Sequence, residues 1–108
     1  MRIADFQLLV AGLDGVDVRL RDGLMTGRYR GRMVARQITE TQVVVRCAFD
    51  LRDLLLRQSP ETFLVPPRLA KHMSVVVDLE RGDDDVIEEA LLAAYDLQSG
   101  AASETQER

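Results

Sequence analysis

Apolar and polar positions change period along the chain, and each change marks an element. Residues 3–11, Ile-Ala-Asp-Phe-Gln-Leu-Leu-Val-Ala, hold neither Gly nor Pro and run into Gly12, which predicts a short helix stopped by glycine. Asp14-Gly15 predicts a turn. Val16-Asp17-Val18-Arg19-Leu20-Arg21 then alternates with period two, as a half-buried strand does. Asp22-Gly23 is a strong two-residue hairpin signal. It sets Arg21 against Leu24, Leu20 against Met25, Val18 against Gly27 and Val16 against Tyr29. In that register Val16, Val18, Leu20, Met25 and Tyr29 share one face, and Arg19, Arg21, Thr26 and Arg28 share the other. A slip of one residue would mix the two sets.

Gly31 predicts a second turn, and residues 32–38 a third strand. Glu40-Thr41 can turn the chain into a fourth strand, Gln42 to Cys47, whose three consecutive valines favour extended backbone. The faces of the third strand stay ambiguous. Two-residue turns at both its ends put Val34 and Ile38 inward with Val43, Val45 and Cys47, but turn Arg32 and Arg36 inward as well. That is costly unless the arginines are paired or lie at the rim.

Asp50 reads as an N-cap, with Asp53 in the first turn, of an amphipathic helix carrying Leu51, Leu54 and Leu55. It ends near Ser59, because Pro60 disfavours helix in the residue before it; Ser59 can then cap a new short turn. Phe63-Leu64-Val65 reads as an edge strand closed by Pro66-Pro67. Residues 73–79 form the last strand, with Met73, Val75, Val77 and Leu79 inward. Asp83, Asp84 and Asp85 open a helix over 84–97, closed by Gly100. Runs of strands, rather than strict strand–helix alternation, predict an α+β fold: a two-layer arrangement of an antiparallel sheet, a four-strand meander plus one or two further strands, with helices on one face. Residues 1–98 form one domain, and 99–108 a frayed polar tail.

Composition adds limits. The 108 residues are 46% apolar and 30% charged, as in a globular domain. No apolar run reaches a membrane span of about 18 residues, so no membrane partner is expected. Met1 to Phe6 includes an acid, unlike a secretory signal, and Cys47 is the single cysteine, so a cytoplasmic setting is expected.

Charge is uneven. Residues 16–47 hold seven arginines against three acids; residues 83–108 hold eight acids against Arg108. Arginine offers a forked donor suited to phosphate. Either the basic stretch is open to an anion, or the two halves neutralise one another across the fold.

Chemistry-bearing residues are few. Cys47 and His72 are single of their kind; a thiolate–imidazole nucleophile competes with the simpler reading of an inert core cysteine and a rim histidine. Asp83, Asp84, Asp85, Glu88 and Glu89 lack the spacing and central glycine of a calcium loop and suit a helix start. No phosphate loop, nucleophile elbow or metal-ligand spacing appears, so no enzyme, cofactor or small-molecule substrate is implied. Arg28-Tyr29-Arg30-Gly31-Arg32 is a basic, aromatic hairpin tip, and Arg19, Arg21, Arg28 and Arg46 are expected to project from one sheet face. The expected nucleic-acid contacts are Arg19, Arg21, Arg28, Arg30 and Arg32, salt-sensitive and sequence-tolerant.

Val45-Arg46-Cys47, the leucine helix, Ser59-Pro60-Glu61-Thr62-Phe63-Leu64-Val65-Pro66-Pro67, Val75-Val76-Val77-Asp78-Leu79 and Glu88-Glu89-Ala90-Leu91-Leu92-Ala93-Ala94-Tyr95 resemble the MmcQ/YjbR-like family of small bacterial proteins. The likeness spans about residues 1–98 and is most pointed over 43–96. The sequence departs from the family where Met73 and Ser74 follow His72, in place of an aromatic residue. The resemblance implies a two-layer fold of the double-wing kind and a DNA-binding role. The alternative is a chaperone-like protein-interaction module, as a homodimer or with another protein.

Overall fold

The computed structural model describes residues 1–100. Three helices and six strands follow in the order α1 (Ile3–Ala11), β1 (Val16–Arg21), β2 (Leu24–Tyr29), β3 (Arg32–Gln37), β4 (Gln42–Arg46), α2 (Phe49–Gln58), β5 (Phe63–Leu64), β6 (Ser74–Asp78) and α3 (Asp84–Ser99). The sheet order is β1-β2-β3-β4-β6-β5, with every neighbouring pair antiparallel. The expected α+β fold is observed: a four-strand meander, extended by β6 and edged by β5, with the helices on one face.

The first hairpin has the register the sequence predicts, Arg21 against Leu24 through Val16 against Tyr29. Its turn places Asp22 at φ 53° and Gly23 at φ 79°, and the β2–β3 turn repeats this with Arg30 at 50° and Gly31 at 84°. Paired positive φ values are the type I′ geometry whose twist matches the strands.

β3 departs from the simple expectation twice. Gly27 faces Ala35 but Arg28 faces Met33, so Val34 is an inserted bulge residue. Beyond β3, Ile38 N–H donates to Gln42 O (2.9 Å), leaving a three-residue loop, Thr39-Glu40-Thr41, in place of the two-residue turn. Thr39 Oγ1 accepts from the N–H groups of Thr41 and Gln42 and holds that loop. The bulge lets Val34 and Ala35 both enter the core and turns Arg36 outward. Without it Arg36 would face Met25, which is fully buried. A local ladder defect costs less than a buried guanidinium. Ile38 therefore leaves the inner face, and Gln37 takes its place. Gln37 Oε1 accepts from Met25 N–H (3.2 Å) and Gln7 Nε2 (3.1 Å), completing the ladder where strand pairing stops.

The core joins Phe6 and Val10 of α1, Met25, Val34, Ala35, Val43, Val45, Phe63, Val75, Val77 and Leu79 of the sheet layer, and Ile87, Ala90, Leu91 and Ala94 of α3. Each large side chain so buried contributes about 1.5–3 kcal/mol. Gly27 matters for its missing side chain: a Cβ there would lie 2.5 Å from Val10 Cγ1, so α1 rests directly on the β2 backbone.

Smaller corrections concern α2 and α3. Ala48, not Asp50, is the N-cap of α2; Asp50 sits in the first turn, where it accepts from Leu51 N–H. Leu51, Leu55 and Leu56 pack on the core, whereas Leu54 is exposed. Ser59 organises the next turn through its backbone carbonyl, which accepts from Thr62 and Phe63, rather than through its side chain. α3 runs to Ser99, two residues beyond the expectation, and Gly100 closes it at φ 80°. Of the expected tail, residues 101–108 lie outside the described residues. Among the described residues no helix is long and apolar enough to cross a membrane.

Candidate functional site

Strand alternation sorts the arginines between the two faces of the sheet. Arg19 and Arg21 of β1 and Arg28 of β2 lie opposite the helices, as the hairpin register requires. Arg36 joins them through the bulge: Arg19 faces Thr26, and Thr26 faces Arg36 on its other side. Two strand spacings separate Arg19 from Arg36, about 10 Å. These four arginines, with Leu20 and Thr26, line one depression of about 440 Å³. A second hollow of about 320 Å³ shares Arg21, Thr26 and Arg36 and extends to Asp22, Leu24, Gln37 and Ile38.

Among the described residues, Arg21, Arg28 and Arg36 have no carboxylate within ion-pair distance; Arg19 pairs with Asp17 (2.9 Å) in an exposed contact within its own strand. Such a contact contributes at most about 1 kcal/mol and yields readily to a stronger anion. Arg46 occupies the same face farther along, donating to Ser74 Oγ at 3.1 Å.

Two expected members lie elsewhere. Arg32 faces Tyr29, hence the helix layer, and its Nη1 donates to Gln98 O at the end of α3 (3.3 Å). Arg30 occupies the type I′ turn, with its guanidinium carbon 5.3 Å from the centre of the Tyr29 ring. Tyr29 meets Tyr95 edge to face at 5.8 Å, and Tyr95 Oη donates to Asp14 O (2.6 Å). The tip Arg30-Gly31-Arg32 thus turns toward α3, away from the arginine depression. Arg36 was the member the simple register misplaced.

The acids of α3 occupy the opposite layer, and among the described residues none of them pairs with a sheet arginine. Four arginines and Asp17 therefore share the sheet face of β1 to β3, and the acids of α3 occupy the opposite layer without neutralising those arginines.

The remaining candidates resolve simply. Cys47 is 3% exposed, and burial pushes its thiol up to about 11 against the opposing pull of Arg52, the reverse of an activated nucleophile. His72 is exposed, and its carbonyl accepts from Arg52. Arg52 itself was hidden in the sequence among the polar positions of α2. It is 9% exposed, and its guanidinium donates to the carbonyls of Leu69 (3.2 Å), Ala70 (3.0 Å), His72 (2.8 Å) and Ser74 (3.2 Å) while lying 4.8 Å from the Phe49 ring centre. It fastens the 69–74 segment to α2.

No family model and no curated protein matches this chain. Among solved structures it is similar to Deinococcus radiodurans protein DR2400, described as a DUF419 domain, with a TM-score of 0.74 at 18% identity over 88% of this chain and 76% of that chain. At that identity the likeness concerns the fold. The chain thus shares its fold with that DUF419-domain structure.

Proposed function

We propose that this domain binds the phosphate backbone of DNA, without catalysis and without reading base order, through Arg19, Arg21, Arg28 and Arg36 on the free face of the sheet. The observation that carries this reading is the convergence of four guanidinium groups around one depression, three of them with no carboxylate partner among the described residues. Guanidinium groups stay charged at all physiological pH values and donate in a fork that fits phosphate oxygens. Bringing them together costs Coulomb repulsion, which a bound polyanion relieves. The face presents strands and short stems rather than a projecting helix, so it suits backbone contact and not the donor–acceptor pattern in a groove. The acidic α3 on the other layer orients the domain, basic face toward the nucleic acid.

Fluorescence anisotropy with a labelled mixed-sequence duplex tests this. Four phosphate contacts give a slope of about −3 to −4 in log affinity against log salt. Arg28→Glu with Arg36→Glu lowers affinity at least about tenfold, whereas Arg32→Glu, on the helix side, changes it less. Absence of binding at about 50 mM salt, or equal losses in all these variants, would overturn the reading.

A further inference from the structure

The two edges of the sheet are finished differently. β5 is two residues long and lies between Pro60 and Pro66-Pro67, a guarded edge. β1 is six residues long and has neither proline nor bulge. In a two-residue hairpin the residues flanking the turn, Arg21 and Leu24, exchange hydrogen bonds, so the odd-numbered residues of β1 bond to β2. The backbone groups of Val18 and Leu20 therefore point outward, as does the Val16 carbonyl; Val16 N–H is engaged by Leu13 O (3.1 Å).

Apolar surface accompanies this edge. Leu20 is 67% exposed and Leu8, on α1 above it, 72% exposed. With Ala4, Ala11, Val18 and Met25 they line an almost wholly apolar groove of about 390 Å³. α1 is thus apolar on two sides, Phe6 and Val10 toward the core and Ala4, Leu8 and Ala11 toward the groove. A helix facing only water would be polar on that second side.

We propose that β1 pairs antiparallel with β1 of a second copy of this chain, joining two sheets into one across a two-fold axis centred on Val18. The charges choose this register. With Val18 opposite Val18, Asp17 lies opposite Arg19 of the second copy twice over, and Val16 lies opposite Leu20. A shift of one residue on each strand toward the turn sets Arg19 against Arg19 between two Asp17–Arg21 pairs, and the same shift the other way sets Asp17 against Asp17. Of the three registers only the one centred on Val18 therefore has opposite charges facing and no like pair. Like charges directly opposite destabilise a strand pair, and opposite charges support it. Val18 exchanges both backbone bonds with its copy, and each Leu20 N–H donates to a Val16 carbonyl.

The register keeps inward residues inward, so both helix layers lie on one side. α1 packs over β1 and β2, so joined edges bring the two α1 axes to roughly 10 Å, a helix-packing distance. Leu8 of each copy then meets the small residues Ala4 and Ala11 of the other. Burial of Leu8, Val18 and Leu20 supplies affinity, and Asp17 with Arg19 supplies the register. A small interface of this kind implies a dissociation constant of micromolar order.

Sedimentation equilibrium of the full chain over a range of concentrations tests the proposal. The expected result is a reversible dimer. Leu8→Glu, at an exposed position, and Val18→Pro, which removes an outward N–H and no bond to β2 while trimming a half-buried side chain, are expected to yield folded monomers by circular dichroism. Asp17→Arg alone and Arg19→Asp alone weaken the dimer about tenfold. An equimolar mixture of these two variants restores it as a heterodimer, because each Arg then faces an Asp. A wild-type monomer at about 0.3 mM, where a micromolar dimer is saturated, would overturn the proposal. So would a Val18→Pro protein that dimerises like wild type, or a mixture that stays monomeric.

Discussion

The two ends of the sheet handle arginine in opposite ways. Beside β6, Arg52 is buried and its terminal nitrogens are spent on four backbone carbonyls. Across β1, β2 and β3, Arg19, Arg21, Arg28 and Arg36 stand around an open depression, and among the described residues only Arg19 of the four is ion-paired. One residue type fastens a loop where carbonyls lie outside the strand ladder, and stands exposed where strand pairing leaves no such acceptor beneath it. The difference lies in the neighbours. The chain makes one 3-10 turn, Pro67–Leu69, and then a loop into β6, so it offers acceptors that no strand pairing satisfies. β1 to β3 pair through tight hairpins and leave acceptors free only along the outer edge of β1, in the plane of the sheet and not on the arginine face.

Three experiments sharpen or break this contrast. The largest effect is expected from Arg52→Ala. It takes the guanidinium from four carbonyls, of which Leu69 O and His72 O keep a backbone donor and Ala70 O and the buried Ser74 O lose their side-chain donor. It also empties the space beside Phe49, and the whole costs about 3–5 kcal/mol in urea unfolding. A loss under about 1 kcal/mol would show that Arg52 is no fastener.

Cys47 reports on the same region through pH. Its thiol is held up to about 11 in the folded protein, against 9.0 for the free group, mainly by burial. The folded state therefore holds the proton more tightly than the unfolded one. The stability this contributes is complete below about 9 and is lost as pH rises toward about 11. The expected loss is about 2–3 kcal/mol, read as the difference between wild type and Cys47→Val over that range. Parallel pH profiles for the two proteins would contradict the burial argument.

The smallest effect on stability is expected on the open face. Arg28→Ala and Arg36→Ala change unfolding free energy by no more than about 0.5 kcal/mol, since the groups they remove are exposed and unpaired. A loss near that of Arg52→Ala would mean that these guanidinium groups serve the fold, and would remove the contrast.

The first hairpin was fully legible because its information is local. Asp22-Gly23 selects the turn, the turn sets the register, and period two sorts Arg19, Arg21 and Arg28 from Val16, Val18 and Met25. The helix ends at Gly12 and Gly100 and the strand around the three valines of β4 were legible for the same reason. β3 was not. Its alternation reads equally well in two phases, and choosing between them required knowing that Met25 is buried and that Val34 and Ala35 both have room inside.

The tip Arg30-Gly31-Arg32 illustrates the same limit. Its composition looks like part of the basic face, yet Arg32 follows the parity of Tyr29 and bonds to the far end of α3, a partner 66 residues away. Arg52 carried no local signal at all, since an arginine between leucines on a helix has the pattern of a solvated position. Its role arises from carbonyls of a segment about 20 residues later.

The sequence by itself determined the α+β class, the element order, the turns and the faces of β1 and β2, because these follow from backbone conformations and periodicities spanning a few residues. The tertiary structure alone decided the bulge at Val34, the outward turn of Arg36, the diversion of Arg32 and the burial of Arg52. Each of these settles a competition between desolvating a charge and disrupting a ladder or leaving a carbonyl unpaired. The winner depends on which distant residues occupy the same space.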